Sequence, residues 1–514
     1  MPVLRPERVA IIGGGCTGIT CFWALQNTSY DVHLFEASSN LGGRIRSVPF
    51  EYNGQWTDVD TESPSFNAEA SPNLVSLLRF LGITTSLMPF SFSTSDGGNI
   101  VEWSKNVFKG VLQHPWALCK KETYGMLLDV IWFKYLGQDL LLMDNQKLDL
   151  PLAPPEYFCV DEYLSRERYS SSLMGKYISP LLSVLWRTNV LDYISQFPAK
   201  ALIQCLRNHN HFRSLELIPK WRRIDLGTSR FMRTMTKDFK PAHIHLHTRV
   251  ESVHRAGETE YQIVTSGDQS DLNFDRIIFA IDGRDILKIL HSNIDAKEKE
   301  ILQGLRVLTN RVVLHSDSIF VPGTDYSWTA CNYVLSLTNP YKQHDRKNAL
   351  GPKTRSKSCL TSNVNSLQNI PTSRAGRIFI TLNPFTPPNP RLVQGVWEFT
   401  DSELRTGTLI AQNGLRSIQN KRGLTYGFRW TGCGFLEDSV TAGLEIATKY
   451  FGAQVPFELV HHDDPMDSSE ALHLGLVGQL VRTAISLVRI YGLLLEISLL
   501  VLFKIRIQAL TVLF

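Results

Sequence analysis

Residues 9–18 read "VAIIGGGCTG" and residues 31–38 read "DVHLFEAS". Val9–Ile12 reads as a buried strand, Gly13–Gly18 as a tight turn, Ile19–Gln26 as the opening of a helix, and Val32–Phe35 as the next strand. Strand, glycine turn, helix and a second strand ending in an acid is the order a dinucleotide fingerprint requires. Gly13 permits the turn, Gly15 lets the amides of the Gly15-Cys16-Thr17 segment approach a pyrophosphate, and Gly18 lets the helix pack closely on the sheet. Glu36 is placed to accept hydrogen bonds from ribose hydroxyls, and an acid there disfavours a 2′-phosphate.

The next glycine pair lies in "GGRIRS", with Gly42, Gly43 and Arg44. A second glycine turn and an arginine so soon after the acid suit a longer dinucleotide that runs on past the first unit. Farther along, Ser229–Phe239 reads as a helix, then strands are expected at His243–His247, Val250–His254 and Tyr261–Val264. "FDRIIFAIDG" supplies a buried strand at Ile277–Ile281 that closes the sheet. The chain has no second nucleotide fingerprint, so a single dinucleotide is expected.

The 514 residues suffice for two or three domains with real cores, and 43% hydrophobic with 20% charged residues is a globular composition. A net charge of +4, with no basic block interleaved with aromatics, excludes a nucleic-acid binder with a basic face. Eight cysteines lie scattered with no CxxC among them. That pattern points to a reducing compartment and to no metal centre. "MPVLRPERV" runs straight into the first strand without a secretory pattern, so the body is expected to face the cytosol.

Residues 86–205 are rich in aromatics and helical periodicity and read as helices covering a pocket. Residues 306–334 alternate like strands of a second sheet. Between 341 and 375 the composition reads as a surface loop; 341–358 holds six Lys/Arg against one Asp.

Gly13–Gly18, Glu36, Gly42–Arg44, "FDRIIFAIDG" and "WTGCGFLEDSVTAG" (430–443) together resemble the flavin-containing amine oxidase superfamily, nearest its branch of predicted NAD/FAD-binding proteins. The resemblance covers about residues 8–455. It implies an α/β fold, with a Rossmann-like FAD-binding domain of the amine oxidase/glutathione-reductase type interleaved with a mixed-sheet-plus-helices substrate domain. The FAD domain would comprise 1–85, 206–285 and 400–455, and the substrate domain 86–205 and 286–399. Non-covalent FAD would lie extended, its adenine half at Gly13–Glu36 and Ala37 with the backbone near Val250. The flavin would lie near Gly43, Arg44, Thr61 and the turn carrying Gly434, Glu437 and Asp438. The helix beginning at Glu437 would aim its positive end at the flavin pyrimidine edge.

Departures from the family pattern bear on chemistry. Cys433 stands where amine-oxidising members carry a cage aromatic, and Phe428 where many relatives carry an acid. Arg311 stands where many carry a lysine that bridges to flavin N5. A flavin enzyme of this kind transfers hydride, with the cofactor supplying the hard chemistry. Arg311, Cys433 and His315 are the candidate catalytic residues, Cys433 as a small packed residue leaving room for substrate, with a catalytic thiol and a covalent flavin tether as the alternatives, and His315 as a proton relay. Trp186, Trp221 and Trp328 are candidate linings of an apolar pocket. The expected reaction is FAD-dependent oxidation or reduction of an apolar, lipid-like or secondary-metabolite substrate at a C–C bond. Amine oxidation and flavin binding without turnover are the alternatives.

Beyond this body lies a hydrophobic tail, 456–514. Residues 484–503 hold thirteen Leu/Ile/Val/Phe, each worth roughly 0.3–0.6 kcal/mol towards insertion, against Arg489 and Glu496 at roughly 2.5–3.5 kcal/mol each. The sum is near zero. Gln479, Arg482, Thr483, Ser486, Arg489 and Glu496 share one helical face, which fits a helix lying in a membrane surface; a transmembrane span and a docked soluble helix are the alternatives. The expected location is cytoplasm-facing and membrane-associated, the endoplasmic reticulum being one candidate. Oligomeric state is not legible in the sequence.

Overall fold

The computed structural model describes residues 5–62, 65–88, 91–95, 100–103, 121–142, 159–188, 194–209, 211–212, 221–257, 260–266, 272–321, 329–335, 358–403, 405–461 and 479–488. It also describes the single positions 490, 491, 494, 497 and 498. The fingerprint folds as its pattern requires. Strand β1 (Arg8–Ile12) is buried from Val9 onward, and helix α1 (Cys16–Leu25) leads to strand β2 (Asp31–Phe35). Strands β3 (Ile244–His245), β4 (Arg276–Phe279) and β5 (Leu424–Tyr426) complete a parallel sheet in the order β3-β2-β1-β4-β5. A parallel sheet is covered on both faces, which explains why β1 and β4 are nearly continuous apolar runs. Helix α1 packs on the long helix α4 (Leu436–Phe451), and a Cβ at Gly443 would press on the Thr17 carbonyl and the Cys21 amide.

The second layer is a seven-stranded sheet. Its order is Val393–Ser402, Val307–His315, Phe379–Leu382, Ser358–Asn363, Cys331–Leu335, Phe92–Ser95 and Ile100–Trp103. All pairs are antiparallel except Cys331–Leu335 with Phe92–Ser95. Helices Lys121–Leu136, Val160–Arg166, Ser179–Trp186 and Ala199–Asn208 lie beyond it, and Tyr177, Trp186, Leu202 and Phe212 are buried among them.

Two expectations change. Of the loop expected over 341–375, residues 341–357 lie outside the described residues, and the remainder is not a loop. From 358 the chain enters the middle of the sheet: Ser358–Asn363 is a buried strand, followed by short helices Val364–Gln368 and Thr372–Ala375. Its hydroxyls are paired rather than solvated, Thr361 Oγ1 lying 2.8 Å from Thr381 Oγ1 and Ser362 Oγ accepting from Arg187 at 2.8 Å. The second change concerns the tail. Residues 479–488 are helical, and among the described residues no helix is long and apolar enough to cross a membrane. Arg489 and Glu496 interrupt the apolar run that a span would need.

Candidate functional site: a dinucleotide cleft

The turn after β1 is drawn tight. Gly13 has φ +111°, donates to the Phe35 carbonyl at 2.9 Å, and has no room for a Cβ beside Ala280 and Ile281. A Cβ on Gly18 would drive into the Gly13 carbonyl oxygen. Gly15 differs, because a Cβ there would meet nothing within 4 Å. Gly15 caps α1 without a side-chain hydrogen bond, and the first turn of that helix carries no acidic residue. Ile19 is the first amide bonded back into the helix, to the Gly15 carbonyl at 2.9 Å, so the amides of Cys16, Thr17 and Gly18 face off the helix end. Burial pushes the Cys16 thiol up to about 12, so no thiolate competes with an anion there. Open space before a bare helix N-terminus fits a pyrophosphate.

Glu36 follows β2, with its carboxylate held by the Gly14 amide on Oε2 and the Ser38 amide on Oε1, each at 2.8 Å. Both oxygens keep capacity for ribose hydroxyls. Ala37 is exposed beside it. Thr248 donates to the Glu36 carbonyl at 2.9 Å and His247 to that of Ser38 at 3.0 Å, so the segment leading to buried Val250 runs alongside. These residues fit the adenosine half of FAD, and this end of the cleft was legible in sequence.

The second glycine turn docks onto the first. Gly42 donates to the Gly14 carbonyl at 2.8 Å, and Gly43 has φ +58°. Thr61 Oγ1 lies 2.9 and 3.0 Å from the carbonyls of Arg44 and Arg46 and fixes the turn. Arg44 is held in a buried ionic network: its guanidinium donates to Glu62 at 3.1 Å, to the Thr400 carbonyl at 3.1 Å and to Asp401, and lies over the Phe399 ring. Arg429 takes the other Glu62 oxygen at 2.8 Å. Burial alone would raise the Glu62 carboxyl, but Arg429 and Arg44 outweigh it and bring it down to about 2.

The turn before α4 is built by its own backbone. Gly434 has φ +86° and its carbonyl accepts from Arg429. Gln412 donates to the carbonyls of Trp430 and Gly432. Asp438 accepts from the Phe435 amide at 2.7 Å and caps α4. Glu437 has a partner that sequence did not suggest. Its two oxygens accept from the amides of Asn73 at 3.0 Å and Leu74 at 2.7 Å, the first turn of helix α2 (Pro72–Phe80). Glu437 therefore joins α4 to α2, and burial raises its carboxyl to about 7.

The three candidate catalytic residues are not brought together. Arg311 is exposed, on the outer face of strand Val307–His315, while its neighbour Asn310 is 3% exposed and faces in. Asn310 donates to Asp401 at 2.7 Å and to Thr188 at 3.0 Å, so Asn310 is the residue of this strand that joins the Arg44 network. His315 lies five residues on, about 17 Å along an extended strand. Its Nδ1 accepts from the Asp317 amide at 3.1 Å, which leaves the proton on Nε2, 2.7 Å from Thr381 Oγ1. Burial holds this imidazole down to about 4, a satisfied core histidine away from the cleft. Arg311 thus faces outward and His315 lies in the core of the second sheet.

Cys433 is half-buried in the turn, and its carbonyl accepts from Trp186 Nε1 at 3.0 Å. The Cys205 thiol of helix α3 (Ala199–Asn208) lies against the Cys433 thiol, a neighbour from a distant part of the chain that no spacing revealed. The hydrogen bond to Cys433 and burial together hold the Cys205 thiol well above its ordinary value. Cys205 is therefore expected to resist iodoacetamide in the native protein and to label only on unfolding, as mass spectrometry of the tryptic peptides would report. His209, at the end of α3, places its ring 4.1 Å from that of Phe435 and stacks on Trp221 at 5.8 Å; burial brings its imidazole down to about 4. Phe428 is buried, and Trp328 lies outside the described residues.

Comparison with known proteins agrees with this geometry. Protoporphyrinogen oxidase 2 of Arabidopsis thaliana is 36% identical over 77 residues, 15% of this chain and 14% of the relative. The chain thus matches about one-seventh of the length of that curated relative. Putrescine oxidase bound to putrescine shares the fold at a TM-score of 0.58 and 12% identity, covering 87% of this chain and 99% of that one. A CLA-producing fatty acid isomerase from P. acnes does so at 0.54 and 13%, covering 87% and 100%. Residues 16–314, more than half of the 514, match the sequence model described as flavin containing amine oxidoreductase. The chain belongs to that family of FAD-dependent oxidoreductases.

Proposed function

We propose that this chain is an FAD-dependent oxidoreductase acting by hydride transfer on an apolar, lipid-like substrate at a C–C bond. FAD, when bound, supplies the two-electron chemistry. The protein's part is position and electrostatics: the α1 amides and Glu36 hold the adenosine half, and the Gly43 turn shapes the far end. The observation that carries the substrate class is the wall around Cys433. Trp186, Cys205, His209 and Trp221 line or back that turn, and none of them carries charge at neutral pH, since burial keeps His209 deprotonated and Cys205 protonated. A protonated amine reaching this wall meets no counter-charge on these four side chains. Cys433 is also smaller than the cage aromatic that amine-oxidising members carry at this position.

Fold alone does not choose a substrate, because the relatives above include an amine oxidase and a fatty acid isomerase. Amine oxidation therefore stands as the second reading. Anaerobic mixing of the flavoprotein with unsaturated acyl lipids and with primary and secondary amines separates them. Bleaching of the flavin by the lipids supports the proposal, and bleaching by amines alone overturns it.

The tail fits the same substrate class. Leu480, Leu487, Val488, Ile490, Tyr491, Leu494 and Ile497 are each more than half exposed, and Arg482 pairs with Asp139 of the body. An amphipathic helix so presented lies in a membrane surface with its apolar side down. Deleting 471–514 is expected to move the protein from sedimented anionic vesicles to the supernatant, and alkaline carbonate is expected to strip the full chain. A full chain that never sediments, or that resists carbonate, contradicts the interfacial reading.

A further inference from the structure

Two short segments with alternating ligand-type residues meet at the outer edge of the parallel sheet. "DVH" places Asp31 and His33 on one side of β2, since residues i and i+2 of a strand share a face. "HIH" at 243–245 enters β3, which pairs with β2 through Ile244 against Leu34 and His245 against Phe35. Asp31 Oδ1 lies 3.2 Å from His33 Nε2 and 3.7 Å from His243 Nε2, and the three donor atoms all lie within 4.8 Å of one another. Around a tetrahedral ion with bonds of about 2.0–2.1 Å, neighbouring donors stand about 3.3 Å apart, so two of these separations are already near that edge.

We propose that Asp31, His33 and His243 form a site for a borderline divalent cation of the Zn²⁺ class. The surroundings suit that assignment. His33 Nδ1 lies 3.0 Å from His245 Nε2, so with His33 Nε2 on the ion the other ring nitrogen has its partner in place, the outer-shell arrangement that orients ligating histidines. Asp31 Oδ2 is taken by Arg8 Nε at 3.3 Å, which leaves Oδ1 as a single oxygen donor. The three side chains are 13–29% exposed, open enough for an ion to enter and for a water to fill the fourth position. Two imidazoles and one carboxylate favour Zn²⁺, Co²⁺ or Ni²⁺ over Mg²⁺ and Ca²⁺.

Location separates this site from the dinucleotide cleft. Asp31 opens β2 and Glu36 follows its last residue, an extended rise of about 13 Å between Asp31 and Phe35. An ion there would pin the Pro241–His243 turn to the start of β2, away from the glycine turn and Glu36.

The test titrates the FAD-loaded full chain with Zn²⁺ against a chromophoric chelator. The wild type is expected to bind one ion more per chain than His243→Ala or Asp31→Asn, and His245→Ala to bind it about 10–100-fold more weakly through loss of the outer-shell partner. FAD content is expected to be the same in His243→Ala as in the wild type. Equal Zn²⁺ uptake by wild type and His243→Ala overturns the proposal. X-ray absorption of the Zn²⁺-loaded wild type needs no variant: a shell with two imidazoles supports the site, and a shell of sulfur or of oxygen alone overturns it.

Discussion

Gly15→Ala is expected to leave the apoprotein's melting temperature nearly unchanged while weakening FAD binding about 10- to 100-fold, the equivalent of about 1–3 kcal/mol of overpacking against a phosphate. The fold gives Gly15 no steric reason to be glycine. Its φ is −74°, which any residue adopts, and a Cβ there meets nothing within 4 Å. The space is empty of protein because it lies in front of the α1 amides. Gly18 makes the internal contrast. A Cβ at Gly18 meets the Gly13 carbonyl, so Gly18→Ala distorts the turn itself and is expected to lower both the melting temperature and FAD affinity. Thermal melts of both apoproteins beside FAD titrations check the pair. Equal loss of stability in the two variants would mean that Gly15 is a structural residue.

Arg44→Met is the second large effect, expected to cost about 3–5 kcal/mol, because removing one partner leaves a buried charge uncompensated. Asp401 is fully buried and Glu62 nearly so, and Arg44 reaches both. The same network sets an acid limit. Against an ordinary value of 4.5, the Glu62 carboxyl titrates at about 2 in the fold, so its contribution is complete above the ordinary value and is lost as pH falls towards about 2. With Arg44 gone and only Arg429 and the weaker field of Arg187 still holding Glu62 ionised, Arg44→Met is expected to unfold at a higher pH than the wild type. Denaturant melts of both proteins at neutral pH and at pH 3 measure each part.

The fingerprint end was legible because its residue types answer to backbone geometry and to an anion, and both leave marks in sequence. What was missed has identifiable physical causes. Arg311 and Asn310 are adjacent on one strand, and a shift of one position exchanges the faces of a sheet. The resemblance set Arg311 at the lysine position beside the flavin, whereas the strand turns that side chain outward and Asn310 holds Asp401. Ser358–Asn363 has the composition of a loop, and its burial rests on hydroxyl pairs supplied by Thr381 and Arg187, which lie outside the segment. Glu437 has the acid-at-N-terminus pattern expected near a flavin, yet its carboxylate caps α2, a contact that tertiary packing alone creates. The Cys205–Cys433 neighbourhood and the Asp31–His33–His243 cluster likewise join segments remote in sequence, with no spacing to announce them.

The central claim is that the cleft between α1, Glu36 and the Gly43 turn holds FAD. Its most direct test is equilibrium titration of the wild-type apoprotein with FAD, with NADH as the competing dinucleotide, read by flavin fluorescence. Saturation at one FAD per chain, unaffected by NADH and weakened in Gly15→Ala, is the predicted result. Failure to bind FAD, or its displacement by NADH, would contradict the account.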